Sequence, residues 1–244
     1  MLIEYNHVNI YQQDTVILKD VNFGIDKGEF AYIIGKVGSG KSSLLKSLYC
    51  ELDLYSEDCE KAEILGRNLL TLRRKDVPEL RRHLGIIFQD FQLLHDRSVY
   101  QNLLFVLKAT GWKDKAKVEA RIDEVLETVG LSDKKNSMPH ELSGGEQQRI
   151  VVARAMLNHP DIIIADEPTG NLDPETAEYI VRLLKDITLT GTAVIMSTHN
   201  IQMLDKFPGI VYRCHDGSVK DVTSEYNSMD LSEDAQTTDK KIEV

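Results

Sequence analysis

Eight consecutive residues, Gly35-Lys36-Val37-Gly38-Ser39-Gly40-Lys41-Ser42, have the types and spacing of a phosphate-binding loop, G-x-x-x-x-G-K-[ST]. The glycines let the backbone turn successive N–H groups inward as an anion nest, and a following helix adds the positive end of its dipole. Lys41 is placed to reach the β- and γ-phosphates of a nucleotide, and the Ser42 hydroxyl to sit on Mg²⁺, with Ser43 next in the helix. Far downstream, the apolar run Ile162-Ile163-Ile164-Ala165 ends in two carboxylates, Asp166 and Glu167. Asp166 is expected to hold Mg²⁺ directly or through water. Glu167, directed the other way, is expected to orient or deprotonate an attacking water. Two acids at the end of a strand are common on their own; beside a phosphate loop they point to hydrolysis of a nucleoside triphosphate.

Such groups need a scaffold that brings them together. Phe30-Ala31-Tyr32-Ile33-Ile34 reads as the buried strand that feeds the loop, and Ser43-Leu44-Leu45-Lys46-Ser47-Leu48 as the helix that leaves it. Strands are expected at 3–10 and 16–25, around a polar turn at Gln12-Gln13-Asp14, then at 84–88, 161–165 and 193–197. Residues 51–61 read as loop, and Pro78 sits where a short helix begins. From 98 to 131 the period is helical, with one stripe of Leu103, Leu104 and Leu107 and another of Val118, Ile122, Val125, Leu126 and Val129. Pro139 closes this block, an insertion over about 92–140. Ser143 and Glu146 have the spacing of a capping box before a helix that runs through Leu157. A further helix is expected from Pro174 to Leu189, and a terminal hairpin through Asp216-Gly217. Strands alternating with helices imply an α/β domain with a mainly parallel sheet covered on both faces.

Composition narrows the class. With 42% hydrophobic and 28% charged residues, the chain resembles an ordinary globular protein, and no apolar run is long enough to span a bilayer. The first eight residues have neither the basic nor the apolar region of a secretory signal. Three scattered cysteines make neither a disulfide framework nor a zinc site and read as free thiols. The net charge of −10 argues against nucleic acid as the main partner. Residues 223–244 hold six acids against Lys240 and Lys241 and little that is apolar, so an acidic, disordered tail is expected there.

Leu142-Ser143-Gly144-Gly145-Glu146-Gln147-Gln148-Arg149 resembles the signature of the ATP-binding cassette (ABC) ATPases, and the other elements of that family follow in order. Tyr11 matches the aromatic that stacks on adenine, Gln89 the Q-loop, Asn171-Leu172-Asp173 the D-loop and His199 the switch histidine. The resemblance covers residues 1–222. It implies a P-loop NTPase fold: a RecA-like core with a mainly parallel sheet, an N-terminal antiparallel β region and an inserted α-helical subdomain. It also implies ATP and Mg²⁺ as cofactors, with Ser42, Gln89 and Asp166 at the metal and Glu167, His199 and Gln89 in catalysis. Ser143, Gly144, Gly145 and Glu146 of one copy would close on the ATP held by a second. Bland readings remain for Tyr11 as packing, for His199 as a loop histidine and for the other six histidines as structural. The usual residue at Glu146 is Gln; since the Ser-Gly-Gly backbone makes the contact, this departure is expected to cost little. Lys36-Val37 and Ser43 depart from the commoner loop sequence without removing a needed group.

Residues 77–94, with Asp96-Arg97-Ser98-Val99-Tyr100-Gln101-Asn102, are similar to the FtsE-like branch of this family, the ATPases of bacterial cell division. Asp90-Phe91 and Asp96-Arg97 favour that branch, whereas 141–149 and 165–173 are shared with LolD- and MacB-like lipoprotein-release and export ATPases. The resemblance implies a homodimer at the cytoplasmic face of the inner membrane, peripheral, touching the membrane through an FtsX-like integral membrane protein that regulates cell-wall hydrolysis. An export ATPase is the alternative. A soluble ABC protein of DNA repair or translation is disfavoured by the acidic charge, and a non-hydrolysing module by Glu167 and His199. Phe91, Leu93 and Leu94 have two open readings, a dock for the partner or packing against the helical insertion. The basic residues at 67, 73–75, 81 and 82 read as a solvated face rather than a lipid contact.

Overall fold

The computed structural model describes residues 1–227. Two long strands, β1 (Ile3–Gln12) and β2 (Thr15–Ile25), pair antiparallel, and β3 (Phe30–Ile34) leads into the glycine loop and α1 (Lys41–Leu48). Two short strands follow, β4 (Lys61–Ile64) and β5 (Arg67–Asn68), then α2 (Val77–Arg82) and β6 (Leu84–Ile87). The helical block comprises α3 (Val99–Ala109), α4 (Lys115–Thr128) and α5 (Gly144–Met156). The chain continues through β7 (Ile162–Ala165), α6 (Pro174–Thr188), β8 (Ala193–Thr198) and α7 (Gln202–Lys206). The described residues finish with the hairpin β9 (Ile210–His215) and β10 (Ser218–Asp221), then α8 (Thr223–Asn227).

The larger sheet has the order β10-β9-β3-β8-β7-β6, parallel throughout except for β10 at one edge. Every residue of β3, β7 and β8 is buried. Because successive side chains of a strand point to opposite faces, each strand feeds two cores. Phe30, Tyr32, Ile163, Ala165, Val194 and Met196 join α3, α4, α5 and α6 on one face. Ala31, Ile33, Ile162, Ile164 and Ile195 join α1 and the antiparallel sheet β2-β1-β4-β5 on the other. The expected α/β architecture is therefore present. Among the described residues no helix is long and apolar enough to cross a membrane.

Four consecutive helices, α3 to α6, begin on side-chain caps that the sequence carries. Ser98 and Gln101 form a capping box for α3, Asp114 caps α4, Ser143 and Glu146 cap α5, and Asp173 caps α6. The stripes of α3 and α4 are buried as expected, apart from Leu104, which is only partly covered.

Three features differ from expectation. Directly after the loop read over 51–61, β4 extends the antiparallel sheet by pairing with β1, a strand for which no expectation was set. The five-residue helix α7 is too short to show a period. The first residues of the expected tail, Thr223–Asn227, form α8, because Thr223 Oγ1 accepts the Val211 N–H at 2.9 Å and Glu225 pairs with Arg213 at 2.6 Å, docking α8 on β9. The rest of the expected tail, 228–244, lies outside the described residues. The basic face is largely exposed, as expected, with local contacts: Arg73 pairs with Asp76, Arg82 with Glu79, and Arg81 donates to the Tyr49 and Cys50 carbonyls.

The segment after Gln89 resolves into two kinds of residue. Leu93 is 4% exposed and Phe91 packs partly into the larger core, whereas Leu94 is 37% exposed. Arg154 donates to the Phe91 and Gln92 carbonyls at 3.0 and 2.6 Å. Buried Asn102 accepts the Leu94 N–H and donates to the carbonyls of Leu94, Arg97 and Ser98. Packing thus claims the first half of this loop. Leu93→Ala is expected to cost about 2–5 kcal/mol of stability, and Leu94→Ala at most about 0.5 kcal/mol, read as shifts in the denaturant midpoint.

Candidate nucleotide-binding site

Parallel register sets the site. Ile34 lies beside Thr198, Ala165 beside Met196, and Ile87 beside Ala165, so β3, β6, β7 and β8 end along one edge. The segments carrying Gly35, Gln89, Asp166 and His199 all leave from that edge, where open α/β sheets bind ligands. Four stretches remote in sequence are thereby brought together.

The phosphate loop needs its glycines at two positions for different reasons. Gly40 has φ +97°, and a Cβ there would stand 2.8 Å from the Leu18 side chain. A Cβ at Gly35 would lie 2.4 Å from the carbonyl oxygen of Cys214 on β9, so the strand end and the loop are in backbone contact. Burial pushes the Cys214 thiol up to about 12, against the opposing pull of the Lys41 charge. Lys36 and Val37 form the exposed tip of the loop, Gly38 has open space above it, and Ser42 and Ser43 lie in the first turn of α1.

This loop suits a phosphate chain on two observations. Ser39 Oγ is buried with no hydrogen-bond partner, and α1 starts at Gly40 without a side-chain cap. A buried hydroxyl and a free helix N-terminus both call for an acceptor, which phosphate oxygens supply. For Mg²⁺ the donor set is oxygen only, one carboxylate from Asp166 with the Ser42 hydroxyl, which suits an ion that arrives on phosphates. Among the described residues no cluster of three or more His, Cys, Asp or Glu forms a separate metal site.

Lys41 is 4% exposed, and its ammonium is satisfied by the carbonyls of Gly35 and Lys36 at 3.0 and 3.2 Å and by Glu167 Oε1 at 3.3 Å. The other Glu167 oxygen faces His199 Nδ1 at 3.3 Å. Glu167 has φ +45°, and its N–H donates to Ser197 Oγ at 2.8 Å. The Ser197 hydroxyl donates in turn to Asp166 Oδ1 at 2.6 Å, and the Asp166 N–H donates to the Ile87 carbonyl. One serine thus positions both acids. Reading the sequence missed it: Ser197 shows only as a polar residue ending an apolar strand, one place before Thr198.

Gln89 is exposed, two residues past the end of β6, and makes no hydrogen bond to Lys41, Asp166 or Glu167. Tyr11 meets Tyr55 edge-on at 5.4 Å, and the two rings line a cavity of about 360 Å³ with Gln13, Asp14, Ser56 and Glu57. Tyr55 was not foreseen, an aromatic in a stretch otherwise read as polar loop. Two cavities of about 580 Å³ lie elsewhere, and one of about 160 Å³ lies beside Glu167 and His199. Lys36, Val37 and Gly38 are exposed, so the tip of the phosphate loop is open to solvent.

Ser143, Gly144 and Gly145 stand at the N-terminus of α5. A Cβ on Gly144 would touch Phe91 and Leu172 at 3.8 and 3.9 Å, and one on Gly145 would lie 2.6 Å from Thr176. The signature segment is thus packed against both the segment after Gln89 and the start of α6. Ser143 donates its N–H and its hydroxyl to Glu146 Oε2 at 2.8 and 2.9 Å, and these bonds hold the Glu146 carboxyl below the usual carboxylate range.

Comparison with known proteins identifies the family and the fold. The profile of the ABC transporter family matches residues 18–170. The cell division ATP-binding protein FtsE of Streptococcus pneumoniae serotype 2 is 43% identical over 212 residues, covering 87% of this chain and 90% of that protein. CbiO1 of Clostridium perfringens, part of the ABC transporter complex CbiONQ, superposes with a TM-score of 0.84 at 28% identity, covering 94% of this chain and 91% of that one. The ATP-binding cassette MJ0796, dimeric and bound to ADP and Pi, gives a TM-score of 0.77 at 32% identity, with coverage of 90% and 97%.

The role of Ser197 is open to a direct check. Ser197→Ala strips the buried acceptor from the Glu167 N–H and is expected to cost about 1–3 kcal/mol of unfolding free energy, whereas Ser197→Thr, which keeps the hydroxyl, should recover part of it.

Proposed function

The chain belongs to the ABC transporter family, and we propose that it is the ATP-binding and ATP-hydrolysing subunit of an FtsE/FtsX-like membrane complex of cell division. The observation that carries the catalytic part is the Glu167 carboxylate shared between Lys41 and His199, 3.3 Å from each. When the triphosphate enters, its oxygens take over Lys41, whose charge then serves the β- and γ-phosphates. Glu167 is released from that pair, and its carboxylate accepts a proton from the attacking water while His199 holds the other oxygen. Ser42, Asp166 and Gln89 would hold Mg²⁺, which would supply charge neutralisation on the phosphates. Lys36, Val37, Gly38 and Ser43 frame the phosphates with backbone and first-turn groups, and Tyr11 covers the adenine.

An open phosphate loop supplies charge from one side only, so the reading includes a second copy. The exposed Ser143-Gly144-Gly145 surface of one chain would cap the γ-phosphate held by the other. The dimeric state of MJ0796 with ADP and Pi supports this arrangement. The name of the Streptococcus relative supports the cell-division assignment. On that reading the chain works at the cytoplasmic face of the membrane, touching it through an FtsX-like integral membrane partner that passes ATP-driven closure on to cell-wall hydrolysis.

Two experiments test it. Glu167→Gln is expected to retain MgATP binding while turnover falls at least about a hundredfold, and Lys41→Ala to lose nucleotide affinity; unchanged turnover in Glu167→Gln would remove the base assignment. Lys41→Ala and Ser143→Arg chains, each inactive alone, should regain activity when mixed, since one of the two sites in a mixed dimer is intact. A verified heterodimer without recovery would overturn the shared site.

A further inference from the structure

The residue at 146 was expected to matter little, yet its carboxylate occupies the group that the signature surface would present. Glu146 Oε2 takes both the Ser143 N–H and the Ser143 hydroxyl proton, at 2.8 and 2.9 Å. Ser143 Oγ in return accepts the Glu146 N–H at 3.3 Å. A hydroxyl has one proton, and this one is committed to an acid. The N–H groups of Gly144 and Gly145 have no intrahelical acceptor at the start of α5, so the surface offers an anion two donors beside a negative charge. That charge is offset from behind. Lys134, in the 3₁₀ turn Ser132–Lys134 between α4 and α5, places its ammonium 3.6 Å from Glu146 Oε1. Both side chains are partly covered, at 34% and 20% exposure, so the pair is screened less than a fully exposed one.

We propose that Glu146 and Lys134 form a charge-compensated latch on the Ser143 hydroxyl that sets how tightly the signature surface of one copy takes the triphosphate held by another. The proposal rests on the two-copy reading above. In the latch Glu146 is a positioning residue: it aims Ser143 and raises the electrostatic cost of an incoming phosphate. Lys134 lowers that cost by neutralising Glu146. Docking a γ-phosphate draws the Ser143 proton away from Glu146, leaving the carboxylate to Lys134 and the Ser143 N–H. A cap with only a structural role would use the neutral Gln equally well and would not involve Lys134.

A double-mutant cycle separates the two. The protein carries Glu167→Gln so that MgATP persists, and association is followed by sedimentation across protein concentrations. Glu146→Gln, which keeps the shape and the acceptor oxygen, is expected to tighten MgATP-dependent dimerisation about tenfold. Lys134→Met should weaken it about tenfold, yet change it less than about twofold once Glu146 is Gln. Both shifts should shrink in high salt. Melting temperatures of the nucleotide-free chains, expected to stay close to the parent, show that the fold is intact. Equal effects of Lys134→Met in both backgrounds, or weaker dimerisation in Glu146→Gln, would overturn the latch while leaving the two-copy reading in place. If the parent shows no MgATP-dependent association at any concentration, the two-copy reading fails and the latch fails with it.

Discussion

A positive charge buried at the end of a strand is the constraint around which the molecule is arranged. The Lys41 ammonium is almost wholly withdrawn from water, and an unpaired charge there would be too costly to keep. Two of its acceptors are local, the carbonyls of its own loop, but the third is Glu167, delivered by a strand more than a hundred residues further on. That delivery depends on the parallel register of β3, β8 and β7, which depends on apolar side chains filling two cores at once. Burial of isoleucines and valines at the sheet centre is therefore what holds a carboxylate at the lysine. The left-handed turn at Glu167 and the bridging Ser197 make the last adjustment, converting the end of β7 into two acids with separate tasks.

How legible each part was in the sequence follows from how local its causes are. The phosphate loop could be read because strand, glycines, lysine and helix are contiguous, and the start of α5 because a capping box needs only Ser143 and Glu146. Lys41, Glu167 and His199 were each expected at the site, but not their mutual pairing, which belongs to sheet register. β4 escaped notice because it is only four residues long, with buried Ala62 and Ile64 alternating with Lys61 and Glu63, and it exists by virtue of pairing with β1. Helix α8 was hidden in an acidic stretch, since what orders it is the bond from Val211 to Thr223. Between the two readings of Phe91, Leu93 and Leu94, the choice turned on Arg154 and Asn102, whose long-range bonds leave no trace in a hydrophobicity pattern.

Small residues in the signature segment serve the interior as much as any partner. Gly145 leaves no room for a side chain beside Thr176, and Gly144 lies against Phe91 and Leu172. The segment that follows β6, the turn before α6 and the first turn of α5 are consequently in direct contact. A displacement of one meets the others within a single side-chain diameter, and dense packing transmits it instead of absorbing it.

The contact between Gly35 and Cys214 bears on covalent chemistry. A cysteine beside a phosphate loop would ordinarily expose a site to oxidants and alkylating reagents, and the neighbouring lysine would sharpen that by favouring the thiolate. Here burial outweighs the lysine and raises the Cys214 pKa, so the thiol form is strongly favoured at neutral pH. Since the thiolate is the nucleophile, burial disfavours reaction at Cys214. The strand that braces the loop can carry a sulfur atom against its backbone without making nucleotide binding a sensor of oxidative stress.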